Sequence, residues 1–127
     1  MKPLIAVACL LLSTSSLAES WQPYANADDA KRYYDPYRKV VMSGIAFIWD
    51  LHELQAEGSE GGRVYRSVLY PTEYNCRKGQ KRVLSMHRMA GRMGDGDLVQ
   101  EVTLVGHWVD VQPETPDDRL MQVACRE

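Results

Sequence analysis

The stretch that decides the fold is Tyr65–Cys76, with the sequence Y-R-S-V-L-Y-P-T-E-Y-N-C. The alternation of side chains from Val64 to Tyr70 predicts a β-strand. Pro71 either ends the regular part of the strand or marks an edge or a bulge, because proline gives no N–H group to a sheet. The stretch ends in Cys76, and a second cysteine, Cys125, lies close to the C-terminus.

The N-terminus predicts export. Lys2 supplies a positive charge, residues 3–12 are apolar, and the segment Ser16–Ala18 has small residues at the −3 and −1 positions of a cleavage site. We expect a signal peptide over residues 1–18 and one mature domain over residues 19–127. The apolar run is shorter than the roughly twenty residues of a membrane span. Cys9 is expected to leave with the signal peptide, because the apolar run before it is too short for the core of a lipoprotein signal.

Cys76 and Cys125 are the two cysteines of the mature chain. An even pair in an exported protein predicts a disulfide bond. The bond would close a loop of about fifty residues, and the chain-entropy argument gives it about 4 kcal/mol of stability. No histidine lies at ligand spacing from either cysteine, so a metal site is not predicted at this pair.

The order of predicted elements is mostly strands followed by one helix. The run from Ile45 to Leu51 alternates strictly, and we place Ile45, Phe47, Trp49 and Leu51 on its buried face. Turns are predicted at 57–62, 77–80 and 93–97, with strands at 81–89, 98–105 and 107–111. Thr115 followed by Pro116 predicts the start of a C-terminal helix. This order indicates an α+β fold, an antiparallel sheet with a helix packed on it.

Basic residues crowd the central hairpin, although the chain has a formal net charge of −2 and no nucleic-acid partner is predicted. Tyrosines are interleaved with them, and aromatic residues together with arginine are typical of binding anchors. We therefore predict a binding surface here for an acidic protein or glycan. Its candidate residues are Arg66, Tyr70, Tyr74, Arg77, Lys78, Lys81 and Arg82. The alternative is a solvated strand face whose charges discourage edge-to-edge pairing.

No catalytic, cofactor or metal site is predicted. His52, His87 and His107 each stand alone in their segments, and none is part of a metal-binding or metalloprotease motif. No nucleophile motif is present. The turn at 94–97 lacks the further acids of a calcium loop. We expect no enzyme, and a small hydrolase with a spatially assembled site is the weakest alternative.

Several short motifs follow one another along the chain. Tyr33-Tyr34-Asp35 comes first, and the alternating strand Ile45–Leu51 follows it. Arg66-Ser67-Val68 and Asn75-Cys76 then lie at the two ends of one strand, and Gly94–Gly96 is a small glycine turn. The last motif consists of Trp108, Pro113, Thr115 and Cys125. In this order the motifs resemble the surface-adhesin protein E family of small exported bacterial proteins, with its Y-Y-x-D element, its R-S-V to N-C strand, its glycine turn and its closing W…P-x-T…C pattern.

The resemblance implies a sheet of about six antiparallel strands and a C-terminal helix that the disulfide ties to the sheet. It also implies homodimers and the binding of host matrix and plasma proteins, such as laminin and vitronectin, through the central strand. In this chain, positions 69–74 carry no basic residue, and the cations follow Cys76 instead. Three functions are consistent with the sequence. They are an exported adhesin-type binding protein, a periplasmic envelope-associated protein of the same fold without a host ligand, and the hydrolase.

Overall fold

A computed structural model describes residue 3, residues 21–27 and residues 29–127 of the chain. The predicted signal peptide and Cys9 lie outside these residues, apart from Pro3. Nine strands, one α-helix and one short 3-10 helix (Arg92–Gly94) are present in the described part. The strands are β1 (Gln22–Asn26), β2 (Ala30–Tyr34), β3 (Val40–Met42), β4 (Ile45–Glu60), β5 (Arg63–Asn75), β6 (Gln80–Val83), β7 (Ser85–Met89), β8 (Leu98–Thr103) and β9 (Val109–Asp110). The helix is α1 (Pro116–Ala124).

All strand pairs are antiparallel, and two long strands form the centre of the sheet. The strand order is β1-β2-β4-β5-β6-β9; β3 also pairs with β4, and β7 pairs with both β5 and β8. The predicted antiparallel sheet with a C-terminal helix is therefore confirmed. The predicted number of about six strands is wrong, because the sheet has nine strands and the protein is mostly β.

The additional strands come from turns and breaks that the sequence prediction placed differently. Ser43 and Gly44 both have positive φ angles, and this tight turn joins the short strand β3 to β4. The predicted strand 81–89 is divided at Leu84, whose N–H donates to the carbonyl of Pro71. The predicted turn at 57–62 is limited to Gly61 and Gly62, because β4 continues to Glu60.

Pro71 lies inside β5, at the point where its neighbour changes from β7 to β6. On the opposite edge of β5, Pro71 is paired with Trp49 of β4. A proline is tolerated in this central strand because the strand on its β6–β7 side is interrupted at Leu84. The N–H group that proline lacks therefore interrupts no continuous row of hydrogen bonds between strands. The predicted irregularity at Pro71 is thus a change of partner strand, and β5 runs on to Asn75.

Helix α1 packs on one face of the sheet, which we call the covered face. Its fully buried residues Leu120 and Ala124 contact Ala46, Ile48 and Tyr74. The Thr115 side chain caps the helix by accepting a hydrogen bond from the Asp118 N–H at 3.2 Å, as predicted.

The buried face predicted for the strand at Ile45–Leu51 needs correction. Ala46 and Ile48 are completely buried under the helix, whereas Ile45, Phe47 and Trp49 are only partly buried on the opposite face. We call that opposite face the open face, because no described α-helix lies on it; the short 3-10 helix Arg92–Gly94 covers one end of it. Leu51 is also on the open face, but it is fully buried at the end where the 90–97 loop covers its neighbour Leu69.

Candidate functional site

The disulfide joins Cys76 at the end of β5 to Cys125 just after α1, with an S–S distance of 2.09 Å. The predicted pairing is therefore confirmed. The disulfide fastens the C-terminal end of the helix over the covered face. At the same end, the Lys39 ammonium group donates hydrogen bonds to the backbone carbonyls of Val123 at 3.0 Å and Arg126 at 2.5 Å.

The predicted binding residues do not form one patch. Arg66 lies near the start of β5 and Arg77 follows its end, so the strand separates them by about 30 Å. Arg66 donates to the carbonyl of Ala90 at 3.1 Å and contacts Glu57 at 3.3 Å. Arg77 and Lys78 are exposed in the β5–β6 turn and have no acidic partner among the described residues. These two cations are the accessible part of the predicted surface.

The other predicted residues are divided between the two faces. Tyr74 is completely buried under the helix, so its predicted role at a binding surface is wrong. Lys81, on the covered face, forms an ion pair with Asp117 of α1 at 2.9 Å. Arg82, on the open face, pairs with Glu73 at 3.0 Å. Tyr70 is half-buried on the covered face and lies against the His52 ring, with the ring centroids 4.7 Å apart.

The R-S-V motif holds a loop in place. Ser67 is completely buried; its hydroxyl donates to the carbonyl of Gly91 at 2.7 Å and accepts from the N–H of Gly94 at 2.9 Å. Glu53 accepts from the N–H of Met93 at 2.5 Å. Arg66 holds the same loop through Ala90. The glycine turn and the R-S-V motif thus belong to one structural unit, which we call the 90–97 loop clasp.

The N-C motif is also structural. The Asn75 side-chain oxygen accepts hydrogen bonds from the N–H groups of Arg77 at 3.2 Å and Lys78 at 3.1 Å. This arrangement is an Asx turn, in which a short polar side chain substitutes for backbone hydrogen bonds. Asn75 therefore fixes the turn that presents Arg77 and Lys78, and Cys76 anchors the same turn to the helix.

A buried polar cluster lies on the covered face around Asp50. The Asp50 carboxylate accepts a hydrogen bond from the Tyr24 hydroxyl at 2.5 Å and contacts His52 Nε2 at 3.0 Å. Burial, and then the nearby Asp50 charge, raise the pKa values of Tyr24, Tyr70 and Tyr74 above the ordinary value for tyrosine. These tyrosines therefore stay neutral in the folded protein, and the cluster acts as part of the core.

The open face carries an aromatic surface that the sequence prediction missed. Phe47 and Trp49 meet edge to face with their ring centroids 5.9 Å apart, and the Arg38 guanidinium lies 5.4 Å from the Trp49 centroid. Across the sheet, the Arg82 guanidinium lies 4.6 Å from the Trp108 centroid. We call these five residues the aromatic–arginine surface. The regular alternation of β4 is the signal in the sequence for this surface, but alternation alone does not show which side of the strand the helix covers.

Exposed apolar side chains extend this surface along β3. Val40 and Met42 pair with Phe47 and Ile45 of β4, which places both on the open face. Their side chains are 53% and 70% exposed, respectively. The same edge leads to Tyr37, which is 81% exposed. An uncovered sheet face that combines aromatic, aliphatic and arginine side chains has the composition typical of protein-binding surfaces.

Among the residues that the structure describes, no histidine has the contacts of a catalytic triad. His87 Nε2 lies 2.8 Å from the Ser85 hydroxyl and 3.5 Å from Glu101. Both contacts involve the same ring nitrogen, whereas a triad places the acid and the nucleophile on different nitrogens. His52 contacts Asp50, and no serine or cysteine contact with His52 is present in the described part of the chain.

Metal ligands and membrane-spanning helices are the remaining features that bear on function. No group of three or more His, Cys, Asp or Glu side chains within residues 21–27 and 29–127 is arranged to hold a metal ion. In the described part of the chain, no helix has both the length and the apolar character required to cross a membrane.

Comparison with known proteins agrees with the order of the motifs. The family model of surface-adhesin protein E matches residues 21–126. A solved structure of Haemophilus influenzae protein E is 17% identical, with a TM-score of 0.65 and coverage of 83% of each chain. A crystal structure of protein E from non-typeable Haemophilus influenzae is 16% identical, with a TM-score of 0.63 and coverage of 87% of this chain and 78% of the other.

At these identities the structural similarity shows a shared fold. No curated protein matches the chain. The family model spans nearly all of the described residues and agrees with the resemblance seen in the motifs. The chain therefore belongs to the surface-adhesin protein E family.

Proposed function

We propose that this chain is an exported, non-enzymatic binding protein of the adhesin type, and that it binds an acidic protein or glycan ligand. The binding surface combines the aromatic–arginine surface with the exposed cations of the β5–β6 turn. The single observation that carries the proposal is the open face, which no α-helix of the described residues covers and on which arginine guanidinium groups lie over tryptophan rings. Family membership supports an adhesin-like protein of this kind.

The position of the turn supports a role for its cations beside the open face. Arg82 lies on the open face, in the strand that leaves the turn. Asn75 and the disulfide hold the turn in one conformation, so Arg77 and Lys78 are presented by a rigid support. A fixed turn loses less conformational entropy on binding than a mobile one, which favours affinity.

The ligand classes follow from charge and from the family. Two cations without acidic partners attract carboxylate or sulfate groups, and their attraction weakens as salt screens it. The aromatic and aliphatic part of the surface supplies contacts that salt does not screen. Matrix proteins such as laminin and vitronectin, together with heparin as a sulfated glycan, are therefore suitable probes.

The test compares two double variants with the same change in net charge. In Arg77→Glu/Lys78→Glu the cations of the turn are reversed without breaking an ion pair, whereas reversing Lys81 or Arg82 would leave Asp117 or Glu73 without a partner. The control Arg119→Glu/Arg126→Glu reverses two exposed cations at α1. Binding to immobilised laminin, vitronectin and heparin is measured by surface plasmon resonance at low and high salt.

We expect the turn variant to lose at least about tenfold in affinity for one of the probes, which corresponds to about 1.4 kcal/mol. The control should bind as the wild type does. Equal affinities of the two variants, or no binding of the wild type to any probe, would contradict the proposal. Retention in the periplasm without any ligand would instead favour the envelope-associated alternative. Labelling of intact cells distinguishes a protein on the cell surface from one in the periplasm.

A further inference from the structure

A polar cleft lies at the other end of the open face, away from the β5–β6 turn. Its volume is about 480 Å³, within the range of about 300–1,000 Å³ that is typical of small-molecule sites. It forms where the β1–β2 turn, β4 and the 90–97 loop meet. It is lined by Asn26, Ala27, Ala30, Lys31, Glu53, Leu54, Gln55 and Arg92. None of the residues of the proposed binding surface lines this cleft.

A break in the pairing of β4 with β5 creates one wall of the cleft. The pairs Glu53–Ser67 and Gly58–Tyr65 are consecutive in the ladder, so four residues of β4 lie opposite the single residue Arg66. A bulge of this kind redirects side chains, and bulges are frequent next to binding sites. The N–H of Gln55 donates to the carbonyl of Asp29 at 3.1 Å, which joins the bulge to the β1–β2 turn.

The opposite wall is fixed by the 90–97 loop clasp. The hydrogen bond from Met93 N–H to Glu53 Oε2, at 2.5 Å, orients the Glu53 carboxylate, which lines the cleft. The second oxygen of Glu53 has no hydrogen-bond partner within residues 21–27 and 29–127. Arg92 belongs to the same loop and also lines the cleft.

The charges in the cleft are not neutralised by contacts with one another. Lys31 lies directly opposite Glu53 on the neighbouring strand, yet the two side chains form no ion pair within 4.0 Å. Arg92 also has no acidic partner among the residues described by the structure. Two cations and one oriented carboxylate therefore line the cleft together with the amides of Asn26 and Gln55.

We propose that this cleft binds a small zwitterion of the amino-acid type. The ligand carboxylate is bound by Lys31 and Arg92, and the ligand ammonium group donates to the second oxygen of Glu53, each through charge-assisted hydrogen bonds. A simple cation would be repelled by Lys31 and Arg92. A simple anion pairs with these two cations but leaves the second Glu53 oxygen without a donor, whereas a zwitterion satisfies all three charges. The amides of Asn26 and Gln55 serve the polar atoms of the ligand side chain.

The test is a titration of the ¹⁵N-labelled mature protein with pools of natural L-amino acids, followed by NMR. At least one pool should shift the amide signals of Gln55 and Met93, which report on the two walls. The amino acid identified in that pool is then compared with its N-acetyl and α-amide derivatives. Because these lack the ammonium or the carboxylate charge, each should bind at least about tenfold more weakly than the parent compound.

Matched variants assign the binding to the cleft. Lys31→Gln and Arg92→Gln should each weaken binding by at least about tenfold, since each removes one charge-assisted contact. Arg119→Gln removes an exposed cation on α1, outside the cleft, and should bind as the wild type does. The absence of shifts at Gln55 and Met93 with every pool would overturn the proposal. Equal binding by the derivatives, or unchanged binding by both cleft variants, would overturn it as well.

Discussion

Replacing Ser67 with alanine tests whether the R-S-V motif is structural. The Ser67 hydroxyl is completely buried and makes two hydrogen bonds, one to the Gly91 carbonyl and one from the Gly94 N–H. Removing it leaves two backbone groups without partners, and each such group costs about 1–3 kcal/mol when it is buried. Since the loop is partly exposed, water compensates some of this loss. We expect the free energy of unfolding to fall by about 2–4 kcal/mol.

Ser85→Ala is the matched control for this substitution. Ser85 is only half-buried, and its hydroxyl makes a single side-chain contact, with His87 at 2.8 Å. We expect its loss to cost no more than about 1 kcal/mol. Urea denaturation of both oxidised variants, followed by tryptophan fluorescence, gives the two changes in unfolding free energy.

Hydrogen exchange locates the effect of Ser67→Ala. The amides of Met93 and Gly94 should exchange faster in this variant, whereas amides of β4 that pair with β2 should change only through the lower global stability. If Ser67→Ala and Ser85→Ala destabilise the protein equally, or if Gly94 exchanges at its original rate, Ser67 does not hold the 90–97 loop in place.

Three further predictions concern the core. Cys76→Ser should lower the free energy of unfolding by about 4 kcal/mol, because the disulfide closes a loop with a sequence separation of 49 residues. Equal urea midpoints of the oxidised and the reduced wild type would disprove this contribution. Tyr24→Phe should lower the free energy of unfolding by about 1.5–3 kcal/mol, because it removes a hydrogen bond to the buried Asp50 carboxylate. Tyr74→Phe should be nearly neutral, because the buried Tyr74 hydroxyl has no partner in the described part of the chain. Equal losses of stability in the two variants would contradict the different roles given to the two hydroxyls. The raised pKa values of Tyr24, Tyr70 and Tyr74 mean that these groups ionise in the unfolded chain near pH 10 but not in the folded protein. These tyrosines should therefore leave the stability unaffected below about pH 10 and lower it above that pH by up to about 1.4 kcal/mol per pH unit for each tyrosine. The slope should be smaller in Tyr74→Phe. A free energy of unfolding that stays constant between pH 10 and 11 would refute the burial argument.

Local signals in the sequence predicted much of the frame. Thr115-Pro116 marks the start of α1, and the pair Cys76–Cys125 was correct, because capping and disulfide pairing depend on few residues. The strict alternation of β4 was also recognised. Alternation alone does not say which side the helix covers, however, and both sides of β4 are rich in apolar residues. The aromatic side was therefore assigned to the core, although Ala46 and Ile48 are the residues under α1.

The candidate site was less predictable for a physical reason. A row of cations in the sequence alternates between the two faces of a strand, so neighbours such as Lys81 and Arg82 lie on opposite sides of the sheet. Their long-range acidic partners, Asp117 and Glu73, depend on the tertiary arrangement. The same holds for the contact of Arg82 with Trp108. The 90–97 loop clasp likewise required residues from three separate segments.

The most direct test of the central claim compares two substitutions at equal exposure on opposite faces. Val40, on the open face beside Phe47, is 53% exposed, and Val109, paired with Lys81 on the covered face, is 52% exposed. Both Val40→Glu and Val109→Glu place a carboxylate at the surface without opening the core. In surface plasmon resonance on the laminin, vitronectin or heparin surface that binds the wild type, Val40→Glu should lose at least about tenfold in affinity, and Val109→Glu should retain it. Loss of binding in Val109→Glu with full binding by Val40→Glu would place the ligand on the covered face and contradict the account.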